Sequence, residues 1–190
     1  MPKLGVLISG RGSNLMAILD AIDAGDLRAD VAVVVSNQPS ALGLKLAKER
    51  GLQTQAMDPK TFDSFDAYEH QIVTTLTEYG VDLLVLAGYM KLVGDPILMA
   101  FCGRMVNIHP SLLPSFKGLN APQQALDYGV KVAGCTVHFV IKDMDAGPII
   151  DQAVVPVHDD DTVDTLSQRI LVEEHRLFPR AIQWVLDHHL

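Results

Sequence analysis

Asn107, His109 and Asp145 have the side chains that proton transfer at a carbonyl group needs, and their settings are unusual. Asn107 and His109 stand two residues apart in MVNIHPSLLPSF (105–116), where a short apolar run stops and Pro110 and Pro114 forbid its continuation. On an extended segment, positions i and i+2 point to the same side. An amide placed there can donate to a developing oxyanion, and an imidazole can give or take a proton near neutral pH. The same pair would serve equally as a turn hydrogen bond and a satisfied rim histidine. Spacing does not separate these readings. Further on, KDMDAGPI (142–149) puts Asp145 in a turn between Asp143 and Gly147. Turn carboxylates often bond their own backbone. Set beside His109, however, Asp145 would favour the imidazolium and order a water for proton transfer. Spacing does not show that the two meet.

A second constellation is SGRGSN (9–14). Gly10 and Gly12 free the backbone for a tight turn, and Ser13 or Asn14 is expected to cap the helix that follows. The open N–H groups at that helix start favour an anion. The stretch is not a dinucleotide fingerprint, because Leu15 occupies the place of the third glycine, and no Gly-Lys-Ser/Thr makes it a Walker loop. A monophosphate seat and a plain capped turn both fit.

Other polar residues offer less. His70, His158, His188 and His189 show no metal-ligand spacing and read as solvated surface, so no metal is expected. His138, alternating with Val137 and Phe139, is more ambiguous and fits a second layer behind the site. Glu173, Glu174 and His175 read as a wet helical face. No Ser-His-Asp or Cys-His arrangement is evident, so a covalent nucleophile is not expected.

The elements that position these residues alternate along the chain. KLGVLIS, DVAVVVSN, QTQAM, VDLLVLAGYM and RMVNIH read as strands, most separated by segments of helical spacing. Strands with little polar alternation suggest a parallel sheet covered on both faces. GCTVHFV and PIIDQAVVPV, joined by the DMDAG turn, read as antiparallel additions at the sheet edge. Two helices are expected to finish the chain, with Pro179 opening the second. The fold class is therefore α/β, a doubly wound and mainly parallel sheet with antiparallel C-terminal edge strands. Ligands of such sheets bind beyond the carboxyl ends of the parallel strands, which gathers Gly10–Asn14, Gly88–Val93, Asn107–Pro114 and the Asp145 loop on one rim.

Composition bounds the class of function. The chain has 190 residues, 48% of them apolar, enough for one domain with a sizeable core. Its 23 acidic residues against 15 Lys and Arg give a net charge of −8, which argues against a nucleic-acid partner. Two cysteines, Cys102 and Cys135, make no disulfide framework and suit a reducing cytoplasmic home. No apolar run is long enough for a signal peptide or a membrane span.

Taken in order, ISGRGSNL, LAGYM, NIHPSLLPSFKG, GCTVHFV and DMDAGPII resemble the folate-dependent phosphoribosylglycinamide formyltransferases over almost the whole chain. The resemblance implies the formyltransferase fold as a single domain over residues 1–190, with a nucleotide- and phosphate-binding half (1–100) and a catalytic, folate-binding half (101–190). It implies transfer of a formyl group from 10-formyltetrahydrofolate to the amine of glycinamide ribonucleotide, in purine synthesis, without a metal. Asn107, His109 and Asp145 would be catalytic, with His138 behind them. Arg11, Gly12, Ser13 and Asn14 would hold the phosphate, and Glu174 the ribose. Tyr89, Met90, Lys91, Leu92, Val93, Asn107, Val140 and Met144 would contact the folate. A cis bond is implied at Leu113–Pro114, and a monomer or weak homodimer in solution. Two departures bear on affinity: Phe65 stands where an Arg commonly contacts the folate tail, and Leu171 where a Gln or Lys is frequent.

Three rivals remain. Formyltetrahydrofolate deformylases share the His and Asp, but normally carry an N-terminal regulatory domain, whereas this sequence starts at the first catalytic strand. Methionyl-tRNA formyltransferases share HPSLLP but add an RNA-contacting C-terminal domain, and nothing follows Leu190. A catalytically silent nucleotide-binding module would have little use for an intact Asn107, His109 and Asp145.

Overall fold

The computed structural model describes residues 1–190. The apolar runs become five parallel strands: β1 (Lys3–Ile8), β2 (Asp30–Ser36), β3 (Thr54–Ala56), β4 (Leu83–Leu86) and β5 (Met105–His109). Between them run α1 (Ser13–Ala24), α2 (Leu42–Glu49), α3 (Phe65–Glu78) and α4 (Asp95–Ala100). After β5 come α5 (Ala121–Tyr128), then β6 (Val132–Phe139) and β7 (Ile149–Pro156), then α6 (Val163–His188). One sheet holds all seven strands in the order β3-β2-β1-β4-β5-β6-β7, with β6 and β7 antiparallel. The expected fold class is the observed one.

Burial on both faces explains why the central strands read as unbroken apolar runs. On β1, Leu4, Val6 and Ile8 join the core with Leu15 and Ile18 of α1 and with Leu177, Phe178 and Ile182 of α6. Leu7 turns to the other face, where Tyr68, Ile72 and Leu76 of α3 cover it. Truncating any such side chain to Ala costs about 2–5 kcal/mol. The strand order reverses between β1 and β4, which opens a crevice beyond their carboxyl ends. The backbone there is stitched across by Ser9 N–H donating to the Gly88 carbonyl at 3.1 Å.

One boundary differs from the sequence reading. Pro179 does not open a new helix; it lies inside α6, which runs unbroken for 26 residues. Proline removes one backbone hydrogen bond, but Leu177, Phe178, Ala181, Ile182 and Val185 on both sides of it are all buried on the same core. Packing outweighs the single lost bond. The short helices α4 and α5 also emerge in stretches that the sequence reading left unassigned.

Candidate active site

β5 presents Asn107 and His109 toward its carboxyl end, and the antiparallel neighbour β6 sets His138 opposite Asn107. The loop after β6 then returns Asp145 to the same place. His109 Nδ1 lies 3.5 Å from Asp145 Oδ2, and both side chains are largely buried. The other ring nitrogen, Nε2, is 2.9 Å from the Phe116 carbonyl. An imidazolium would therefore face an acceptor with each of its N–H groups. Asp145 is held in turn by the Gly118 N–H, which donates to Oδ2 at 2.8 Å.

The second layer fixes the amide. His138 Nδ1 is 2.9 Å from the Phe139 carbonyl, so Nδ1 carries the proton and Nε2 accepts from Asn107 Nδ2 at 3.2 Å. Burial lowers the His138 pKa and keeps the ring neutral, against the opposing pull of the Phe139 carbonyl and Asp145. His138 Nε2 also lies 3.8 Å from Asp145 Oδ1. The four side chains thus form one connected group.

Backbone strain is concentrated here. Phe116 and Asp145 both adopt left-handed φ, at 55° and 49°, and each touches His109. Such conformations in non-glycine residues cost on the order of 1–3 kcal/mol and gather at functional sites. The turn between Ser111 and Phe116 is anchored by Thr136, whose hydroxyl donates to the Ser111 carbonyl (2.7 Å) and accepts from Leu113 N–H (3.0 Å). Gln152 reaches the Leu113 carbonyl from β7 at 3.0 Å. The Leu113–Pro114 bond is cis.

Residues 9–14 form a second focus at the start of α1. Contrary to expectation, neither Ser13 nor Asn14 caps the helix. Gly12 is the N-cap, with left-handed φ and no side-chain cap bond. Its missing Cβ matters twice, because a Cβ would be strained at φ 75° and would collide with the Gly43 backbone. The first N–H groups of α1 consequently have no side-chain partner, the condition for anion binding. Asn14 instead donates from Nδ2 to Glu174 Oε2 at 2.8 Å, and its own Oδ1 is buried without a partner. Glu174 is only 7% exposed, which overturns the wet-face reading of that stretch. Burial raises its pKa, partly offset by the Asn14 bond. The register Ile170, Glu174, Leu177, Phe178 follows the apolar stripe of α6 and carried that signal.

The third focus is apolar. Met90 and Leu92 are each 69% exposed on the segment after β4, and Met144 is 50% exposed on the loop that carries Asp145. Tyr89, Val93 and Val140 are half-buried around them, and Lys91 is exposed. Large apolar side chains left in water on one rim fit a flat aromatic ligand. Arg11 is exposed beside the α1 turn. Phe65 is exposed at the start of α3, its ring centroid 5.5 Å from that of Tyr68, and Leu171 is half-buried on α6.

His70, His158, His188 and His189 are exposed, as expected. No three His, Cys, Asp or Glu side chains converge into a metal-holding group. No helix is long and apolar enough to cross a membrane. A hollow of about 330 Å³, lined by Pro110, Leu112, Phe116 and Lys131 among others, takes in none of the candidate residues. What sequence reading missed are backbone groups, the Phe116 carbonyl and the Gly118 N–H, together with their supports Thr136 and Gln152. Side-chain types cannot flag a main-chain donor; the glycine of SFKGLN was the available hint.

An Asn-His pair thus stands at the end of a strand with an Asp returned to it by an edge hairpin, and an uncapped glycine turn follows the first strand of the same sheet. The chain belongs to the formyl transferase family, which matches residues 2–182. Among its relatives, the phosphoribosylglycinamide formyltransferase of Escherichia coli (strain K12) is 40% identical over 185 residues, 97% of this chain and 87% of that one. The human trifunctional purine biosynthetic protein adenosine-3 is 45% identical over 183 residues. This chain spans only 18% of the length of that larger relative. Glycinamide ribonucleotide transformylase 1 from Symbiobacterium toebii superposes with a TM-score of 0.97 at 53% identity, covering 98% of this chain and 88% of that one.

Proposed function

We propose that this protein passes the formyl group of 10-formyltetrahydrofolate to the primary amine of glycinamide ribonucleotide in purine synthesis, as its relatives' names suggest. The observation that carries this reading is the convergence of Asn107, His109 and Asp145 at one strand end, in the same sheet whose β1 and β4 lead into the uncapped turn and the exposed apolar side chains.

The substrate amine is itself the nucleophile, so the site needs none of its own. The amine lone pair attacks the formyl carbon and the carbonyl oxygen becomes an oxyanion. One N–H of Asn107 is spent on His138, and the other is free to donate to that oxygen. His109 supplies a second donor, the formyl oxygen replacing the Phe116 carbonyl as acceptor of the Nε2 proton. Asp145 faces the imidazole and, through a water, carries the proton from the attacking amine to the folate nitrogen as the carbon–nitrogen bond to folate breaks. The phosphate of the ribonucleotide sits at Gly12, Ser13 and Asn14 with Arg11 beside it, and Glu174 faces the ribose. The folate lies along Tyr89–Val93, Val140 and Met144. This divides binding between residues 1–100 and 101–190, with Glu174 reaching back across. The protein works in the cytoplasm as a monomer or weak homodimer, with no nucleic acid or membrane partner.

The test is a formyl-transfer assay with and without glycinamide ribonucleotide. Transfer to the amine supports the reading; formyl release that ignores the ribonucleotide supports a deformylase.

A further inference from the structure

The segment Tyr89–Gly94 has no regular secondary structure, yet it is tied down at three points. Met90 N–H donates to Ser9 Oγ at 2.8 Å, and Ser9 donates to the buried Asn37 Oδ1 at 2.5 Å. The Tyr89 and Tyr68 hydroxyls are 2.8 Å apart. Gly94 N–H donates to Glu69 Oε1 at 2.6 Å. Two of these anchors are adjacent residues of α3, Tyr68 and Glu69, which are 0% and 1% exposed.

Glu69 has no place in a core on apolar grounds. A buried carboxyl group is costly unless hydrogen bonds compensate it, and here Oε2 has no partner at all. Its one hydrogen bond goes to Gly94, the hinge between the segment and α4. A Cβ at Gly94 would overlap the Glu69 carboxylate, so this approach requires glycine. The geometry is that of a clamp: α3 grips the segment near its start through Tyr68 and at its end through Glu69. Met90, Lys91 and Leu92, the exposed stretch, are suspended between.

We propose that Glu69, with Tyr68, is a positioning residue for the folate cosubstrate, fixing the Tyr89–Gly94 segment from beneath without touching the ligand. This rests on the placement of the folate along Tyr89–Val93. Loss of the grip raises the entropy that binding must remove, so it weakens the folate ground state and leaves the chemistry alone.

The test uses the whole chain and three variants. Glu69→Ala removes the acceptor and should raise the KM for 10-formyltetrahydrofolate roughly tenfold, with kcat and the ribonucleotide KM unchanged. Glu69→Gln keeps an acceptor for Gly94 and should restore the folate KM to within about twofold of wild type. Tyr68→Phe keeps the ring in the core and loses only the hydroxyl, so it carries the test even if Glu69→Ala does not fold; its folate KM should rise roughly two- to tenfold. Amide hydrogen exchange at Met90–Gly94 in the ligand-free protein reads the anchoring directly and should quicken in Glu69→Ala. An unchanged folate KM, a Gln variant no better than Ala, or an equal rise in both KM values would overturn the proposal. Should the wild-type protein transfer no formyl group, the proposed function fails on its own, and the exchange rates still decide whether Glu69 anchors the segment.

Discussion

His109 and Asp145 meet at 3.5 Å although one ends a parallel strand and the other sits in the hairpin at the sheet's far edge. Pairing of β6 with β5 sets His138 opposite Asn107, and the loop that leaves β6 at the level of Val106 folds back so that Asp145 reaches His109. Asn107 joins through His138 on that same neighbouring strand. Asn107, His109 and Asp145, the proposed catalytic groups, are thereby joined in one contact network.

Such a group should act as a unit. Losing one oxyanion donor costs roughly 10²–10³ in rate and losing acid–base help roughly 10²–10⁴. Asn107→Ala/Asp145→Asn should be far less impaired than the product of the single losses. Asp145→Asn should also lower kcat with little change in either KM, because the carboxylate that relays the proton is gone. Steady-state kinetics check both. A raised folate KM with kcat unchanged would mean that Asp145 acts by shaping its loop, and full activity in His109→Ala would end the mechanism.

The phosphate seat calls for a variant that spares the backbone. Substitution of Gly12 would strain φ and strike Gly43, testing packing instead of binding. Ser13→Asp places a carboxylate where the phosphate should lie. A negative charge at a helix start stabilises the helix by about 0.3–1 kcal/mol, so the Tm should hold or rise. The ribonucleotide KM should nevertheless rise roughly tenfold or more from charge repulsion, with the folate KM unaffected. A folate KM that rises in its place would show that the two ligands are placed the wrong way round.

How much of this was open to sequence reading follows from the kind of signal each residue gives. Asn107 and His109 were legible because a strand's period of two puts them on one side, and the sheet was legible because β1, β2 and β4 are buried on both faces. Their meeting with Asp145 was not, since it depends on pairing between strands. Glu174 was misread from its neighbours Glu173 and His175, although its register with Ile170, Leu177 and Phe178 pointed inward. Pro179 misled in the same way, a local rule overruled by core packing on both sides. Phe116 and Gly118 act through main-chain atoms, which any residue type possesses.

Burial of Glu174 sets a pH dependence of stability. Its carboxyl pKa is raised above the ordinary 4.5, chiefly by burial. The folded state therefore holds a proton that the unfolded state has released, and stability is lost as pH rises. The contribution is complete below pH 4.5 and fades as the pH passes the folded-state value. Glu174→Gln keeps an acceptor for Asn14 and cannot ionise. The Tm of this variant minus that of wild type should grow from pH 4.5 toward pH 7, measured by calorimetry. A difference that is constant with pH would show that the carboxyl pays no burial penalty.

The most direct measurement follows the label from 10-formyltetrahydrofolate carrying an isotopic formyl carbon, with wild-type protein and with glycinamide ribonucleotide present or omitted. The expected result is label on the ribonucleotide amine, and almost no loss of formyl from the folate when the ribonucleotide is absent. Label released as formate at the same rate in both reactions would contradict direct attack by the amine at the Asn107–His109–Asp145 site.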